Sequence, residues 1–109
     1  MAGIASRWAL HVTFPLTAAT VPKFLEGWRP VYAKFQNEPD LLTFDVVHST
    51  QEEGTIRFVE TWKTDPEGIM KVIMSDYFKD FLAANKTLVT KPIEVQFFKV
   101  FEDWKINKQ

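Results

Sequence analysis

Residues 7–15, RWALHVTFP, alternate between two sets. Trp8, Leu10, Val12 and Phe14 form an apolar set, and Arg7, Ala9, His11 and Thr13 a mixed one. A period of two predicts a strand, closed by Pro15. The period then changes. In VPKFLEGWRPVYAKFQ, residues 21–36, the positions Val21, Phe24, Leu25, Trp28, Val31, Tyr32 and Phe35 fall on one helical stripe. Thr20 suits the N-cap, and Pro22 is tolerated in the first turn. Pro30 removes a backbone donor, so a kink or a split is expected there. The NEPD segment at 37–40 closes the helix.

Alternation returns in LLTFDVVHS, residues 41–49, with Leu42, Phe44, Val46 and His48 on one face. TQEEG at 50–54 reads as a turn, and 55–63 as the third strand of a hairpin. Thr64 and Glu67 have capping-box spacing, with Pro66 in the first turn of a second helix. Its inward positions are Ile69, Met70, Val72 and Ile73. Ser75-Asp76 marks a break, and the helix resumes with Tyr77, Phe78, Phe81 and Leu82 inward. KPIEVQFFKVF, 91–101, is a fourth strand starting at Pro92. EDWKINKQ is a polar tail with one apolar anchor, Trp104.

The order β-α-β-β-α-β is that of an α+β, ferredoxin-like domain: a four-stranded antiparallel sheet with helices on one face. The first strand is expected centrally, between the third and fourth. The even residues of the first three strands face the helices, because they are the more apolar set. The other face holds Ala9, His11, Thr13, Asp45, Val47, Arg57, Val59, Thr61, Phe98 and Val100. That set is too apolar for water, which implies a second copy packed sheet to sheet in a homodimer.

Composition narrows the function classes. The 109 residues suit a single domain, with its core at about 7–101 and a tail at 102–109. The net charge is −1 and there is no basic run, which argues against nucleic acid as a partner. There is no cysteine, so no disulfide framework or thiolate chemistry; a reducing, cytoplasmic setting is expected. Two histidines without ligand spacing suggest no metal site. No apolar run approaches membrane-spanning length, and MAGIASRWALHVTF lacks the core of a signal peptide. Met-Ala-Gly does not match the myristoylation pattern. Aromatic residues make up 15% of the chain, enough to fill a core, line a cavity or cover an interface.

The candidate chemistry starts at Glu60. In IRFVETWKT, residues 56–64, it shares a face with Ile56, Phe58 and Trp62. A carboxylate there must either find a donor or take a raised pKa. It reads as a general base for a phenolic or α-carbonyl proton, or as a structural group tied to a helix N-terminus or an indole. His48 ends the second strand near Ile56, on the order of 13 Å along the strand from Glu60. The two form no contact dyad, but they could grip opposite ends of one substrate. His11 is expected at the dimer interface, with Asp45 or Arg57. Trp62, Tyr77, Trp28, Tyr32 and Phe58 are candidates to line an aromatic pocket for a flat apolar ligand, or simply fill the core.

Taken in order, FLEGWRPVYAKFQNEPD, LLTFDVVHS, VETWK and DYFKDFLAANKTLV resemble the antibiotic biosynthesis monooxygenase family of the dimeric α+β barrel superfamily. The likeness covers about residues 7–101 and looks closest to small fungal members. It implies a cavity between sheet and helices in each subunit of a homodimer, lined by Trp62. It also implies cofactor-independent oxygenation of polyketide phenols in some members, haem degradation in others, and polyketide cyclisation or dehydration elsewhere in the superfamily. Where many members carry two histidines on the second helix, this chain has Val72 and Tyr77. The first of these is the iron ligand of haem-degrading members, so Val72 weighs against haem. An Asn used by some oxygenases is Phe58 here. The expectation is a cofactor-independent enzyme on a small aromatic or polyketide-type metabolite, with Glu60 and His48 as candidate catalytic groups. A cyclase, isomerase or dehydratase, or a non-catalytic ligand-binding or stress-associated dimer, are the alternatives.

Overall fold

The computed structural model describes residues 7–106 and 108. The reading of the first six residues, and of Asn107 and Gln109 in the tail, lies outside the described residues. The elements run β1 (Trp8–Pro15), α1 (Val21–Phe35), β2 (Leu41–His48), β3 (Thr55–Trp62), α2 (Pro66–Ile73), α3 (Asp76–Asn85) and β4 (Glu94–Lys99). A short 3-10 turn, Glu102–Trp104, follows. The sheet order is β2-β3-β1-β4 and the pairing is antiparallel throughout. The fold is therefore ferredoxin-like α+β, with β1 between β3 and β4 as expected from the order of elements.

Leu10, Val12 and Phe14 of β1 and Ile56, Phe58 and Trp62 of β3 are buried under the helices. Phe24, Trp28 and Phe35 of α1, Ile69 of α2, and Phe78 and Phe81 of α3 meet them there. Burying one such side chain is worth about 1.5–3 kcal/mol, so this aromatic layer dominates the stability of the domain.

Several local features differ from what the chain's pattern suggests. Helix α1 runs unbroken through Pro30. A proline costs one hydrogen bond, and burial of Trp28 and Phe35 on either side outweighs it. The cap of α2 is Asp65, whose carboxylate accepts from the Gly68 amide at 2.9 Å, not Thr64. An anionic acceptor at the positive end of a helix makes a stronger cap than a hydroxyl. Strand β4 begins at Glu94, two residues after Pro92. In β2 the register shifts between Leu41 and Thr43. This bulge puts Leu41 against the core opposite Trp62 and leaves Leu42 exposed, so Leu42 does not share the face of Phe44.

The turn between β2 and β3 is fixed by Gly54, at φ +89°. A Cβ there would lie 2.5 Å from the Leu16 carbonyl oxygen. Only glycine allows this approach, and it lets Leu16 N–H donate to the Gly54 carbonyl at 3.1 Å. The hairpin end is thereby held against the segment that leads into α1.

Candidate functional site

Glu60 sits in the middle of β3, opposite Leu10 of β1 and Phe44 of β2. It is 1% exposed. The Trp62 indole N–H donates to its Oε1 at 2.8 Å. Its Oε2 is buried with no protein partner. Burial is the main influence on this carboxyl and outweighs the indole bond, raising its pKa to about 7. Glu60 is thus half-satisfied: one oxygen is bound, and the other faces an apolar shell with its proton in balance near neutrality.

The rings around Glu60 are dense. Phe58 precedes it on the same face, and Trp28 lies 4.6 Å from Phe58 and 5.5 Å from Phe44, between ring centroids. Phe35 bridges Trp28 at 5.5 Å and Trp62 at 5.7 Å. Tyr77, at the start of α3, donates its hydroxyl to Glu38 Oε2 at 2.6 Å, which ties α3 to the loop after α1. Desolvation first, then the Glu38 bond and charge, then the Glu60 charge push the Tyr77 phenol well above its ordinary pKa. Tyr77 therefore stays neutral and acts as a donor.

A seam runs between α1 and the edge strand β2. A cleft of about 240 Å³ is lined by Leu25, Trp28, Arg29, Tyr32, Phe44 and Val46. It shares Leu25 and Val46 with a larger cleft of about 590 Å³ that reaches His48, Gly54 and Ile56. The seam is apolar, and Phe44 stands both in its wall and across the ladder from Glu60.

The residues singled out in the sequence divide accordingly. Glu60, Trp62 and Phe58 form the sealed interior. Trp28, Tyr32 and His48 line the seam, Trp28 belonging also to the core. Tyr77 stands at the far side, on Glu38. His48 pairs with Ile56, four residues before Glu60, so the histidine and the carboxyl do not meet. His11 lies on the opposite face of the sheet, with its ring 4.9 Å from Phe98. Burial and the charge of Arg57 both lower its pKa. Phe44 and Glu38 were not reached from the sequence. The one reads as a strand hydrophobe and the other as a loop acid, and only the register and the Tyr77 bond reveal them.

A scan against family models found no match, and a search of curated proteins also found none. Solved structures do match. A Nitrosomonas europaea protein named as a candidate antibiotic biosynthesis monooxygenase superposes with TM-score 0.79 at 13% identity, covering 93% of this chain and 96% of its own. A Caulobacter crescentus protein of the same designation gives 0.78 at 20% identity, covering 89% and 92%. A conserved Methanosarcina mazei protein gives 0.77 at 16%, covering 86% and 92%. The chain has the fold of these proteins. The shared part covers 86–93% of this chain, so the likeness is one of the whole fold.

Proposed function

We propose that this chain is a cofactor-independent enzyme acting on a small, apolar, aromatic or polyketide-type metabolite, in the manner of the antibiotic biosynthesis monooxygenases whose fold it has. One observation carries the reading. A carboxyl with a pKa near 7 and a free oxygen sits in an aromatic shell, beside an open apolar seam. A general base works best when its pKa is near the working pH, and an apolar surrounding sharpens its pull on a phenolic proton. In the reaction, Glu60 Oε2 takes the O–H proton of a phenol or enol. The carbanion form gives its electron pair to O2, forming a C–O bond. The peroxide is protonated and loses water, so a ring CH2 becomes C=O and the substrate is the only reductant. Without O2 the same anion cyclises or eliminates. His48, at the far end of the seam, would orient the other end of the substrate.

The same reading takes the protein as a homodimer through the open sheet face, acting in the cytoplasm, with no nucleic acid or membrane partner. Phe98 and Val47 are 44% and 41% exposed on that face. Beyond β4, Phe101, Trp104 and Ile106 are 82%, 84% and 79% exposed. Such a run of apolar side chains calls for cover. No helix among the described residues is long and apolar enough to cross a membrane.

A second reading draws on the Trp62 bond. Glu60 would be the pin that sets the indole, and the protein a non-catalytic binding dimer. Oxygen uptake with a panel of electron-rich polycyclic phenols separates the two, comparing the parent with Glu60→Gln. The proposal expects uptake that Glu60→Gln abolishes while the circular dichroism is unchanged. Product formation without uptake moves the reaction to the cyclase or dehydratase branch. Equal turnover in the variant, or binding without conversion, overturns the role given to Glu60.

A further inference from the structure

The seam beside β2 is longer than one cleft. Three clefts of about 590, 240 and 200 Å³ follow one another along the strand, the first two joined at Leu25 and Val46 and the last two at Tyr32 and Phe44. Leu25, Tyr32, Leu42 and Val46 stand exposed along it. β2 is also an edge of the sheet. Ser49 N–H donates to the Thr55 carbonyl at 2.9 Å, and bonded pairs alternate along an antiparallel ladder. Thr43, Asp45 and Val47 therefore turn their backbone groups to β3. Phe44 and Val46 turn theirs outward, where they bond to no described residue. An apolar groove beside an unpaired strand edge is the setting in which an extended segment adds as a further strand.

This chain carries such a segment with nothing described over it. Phe101, Trp104 and Ile106 follow β4, and all three are exposed. Trp104 and Ile106 are two apart, so in an extended chain they point to one side, as Phe44 and Val46 do in β2. Lys105 between them already has extended backbone, at φ −95° and ψ 139°. The tail cannot fill its own groove. Val100 N–H donates to the Arg7 carbonyl at 3.0 Å, and Arg7 Nε donates to the Glu102 carboxylate at 3.0 Å, so the tail is held on the β4 side of the sheet. β2 lies three strand spacings from β4, about 14 Å, and residues 103–106 fully extended span about the same. Trp104 and Ile106 would be spent in the crossing and could not lie along Phe44 and Val46.

We propose that the groove is filled by the tail of a second copy: residues 104–106 of one chain add to the outer edge of β2 in the other, with Trp104 and Ile106 laid into the seam against α1. This rests on the homodimer proposed above and adds the segment that joins the copies. A two-fold axis lets both tails fill both grooves at once, so the exchange is closed and leaves neither exposed. The seam is then complete only in the dimer. Trp104 of the partner subunit forms its outer wall, and a ligand in the seam touches both chains.

The test is backbone hydrogen exchange read residue by residue. It compares the full chain, at a concentration where sedimentation shows a dimer, with a chain lacking residues 101–109. The Phe44 and Val46 amides are expected to exchange at least about tenfold more slowly in the full chain than in the shortened one, the worth of about one hydrogen bond. The Thr43, Asp45 and Val47 amides, bonded to β3, stay slow in both and report an intact sheet. Should the shortened chain lose that control, the full chain with Trp104→Ala and Ile106→Ala takes its place. Fast exchange at Phe44 and Val46 in a dimeric full chain overturns the proposal and leaves the dimer standing. Equal protection with and without the tail also overturns it, since another strand, such as β2 of the second copy, then covers the edge. A full chain that sediments as a monomer overturns both the dimer and the exchange, and protection in that monomer gives the groove to a foreign peptide. Protection lost on shortening, in a dimer that Phe98→Asp leaves intact, upholds the exchange and removes the open sheet face as the interface.

Discussion

Replacing Glu60 by glutamine tests the physical state of the carboxyl without any substrate. Its pKa rises from 4.5 to about 7 on folding, chiefly through burial. A raised carboxyl pKa means the folded state holds its proton more tightly than the unfolded chain. Stability from this group is complete below about pH 4.5 and is lost as the pH rises through about 7. At about 1.36 kcal/mol per pH unit, the full swing is about 3 kcal/mol. Glutamine does not titrate. Its amide oxygen can keep the Trp62 bond, while its NH2 group takes the place of Oε2 without an acceptor, at a fixed cost of about 1–3 kcal/mol. That cost is the same at every pH. The difference in unfolding free energy, variant minus parent, should therefore rise by about 3 kcal/mol between about pH 4 and pH 8. Urea titrations followed by circular dichroism across that range measure it. A difference that stays flat would refute the buried, proton-balanced carboxyl. So would one that falls with pH, which is the behaviour of an ion-paired glutamate.

Three further outcomes follow from the geometry. Gly54→Ala should cost about 2 kcal/mol or more in urea unfolding, because alanine is strained at φ +89° and its methyl meets the Leu16 carbonyl; an unchanged midpoint contradicts the docked hairpin. Asp65→Ala should lower stability by about 1 kcal/mol through loss of the α2 cap, whereas Thr64→Ala should cost less; the reverse order would restore the capping box. Phe98→Asp on the open sheet face should convert a dimer to a folded monomer in sedimentation equilibrium, and a dimer that persists removes that face as the interface.

The architecture was legible because its periods are clean. Alternation in 7–15 and 55–63 and the stripe in 21–36 set the order of elements, and the even-numbered faces of β1 and β3 are the buried ones. Boundaries were legible only in part. Asp65, not Thr64, caps α2, and the register of β2 slips at Leu42, since both depend on backbone geometry that composition does not record. Glu60 stood out as a carboxylate in an apolar row. The seam did not, because it exists only where α1 lies along an edge strand. Trp28 looked like core filling in the sequence, and its burial agrees. Its unpaired N–H becomes visible only when the rings around it are placed.

Carbon-13 NMR titration of the glutamate carboxyls, with Glu60→Gln to assign the signal, tests most directly the claim that a carboxyl poised near neutrality lies at the heart of this site. The account predicts a Glu60 midpoint at about 7, set apart from the exposed glutamates. A midpoint at or below 4.5 would mean that Glu60 is an ordinary ionised carboxylate, and the proposed base would be lost with it.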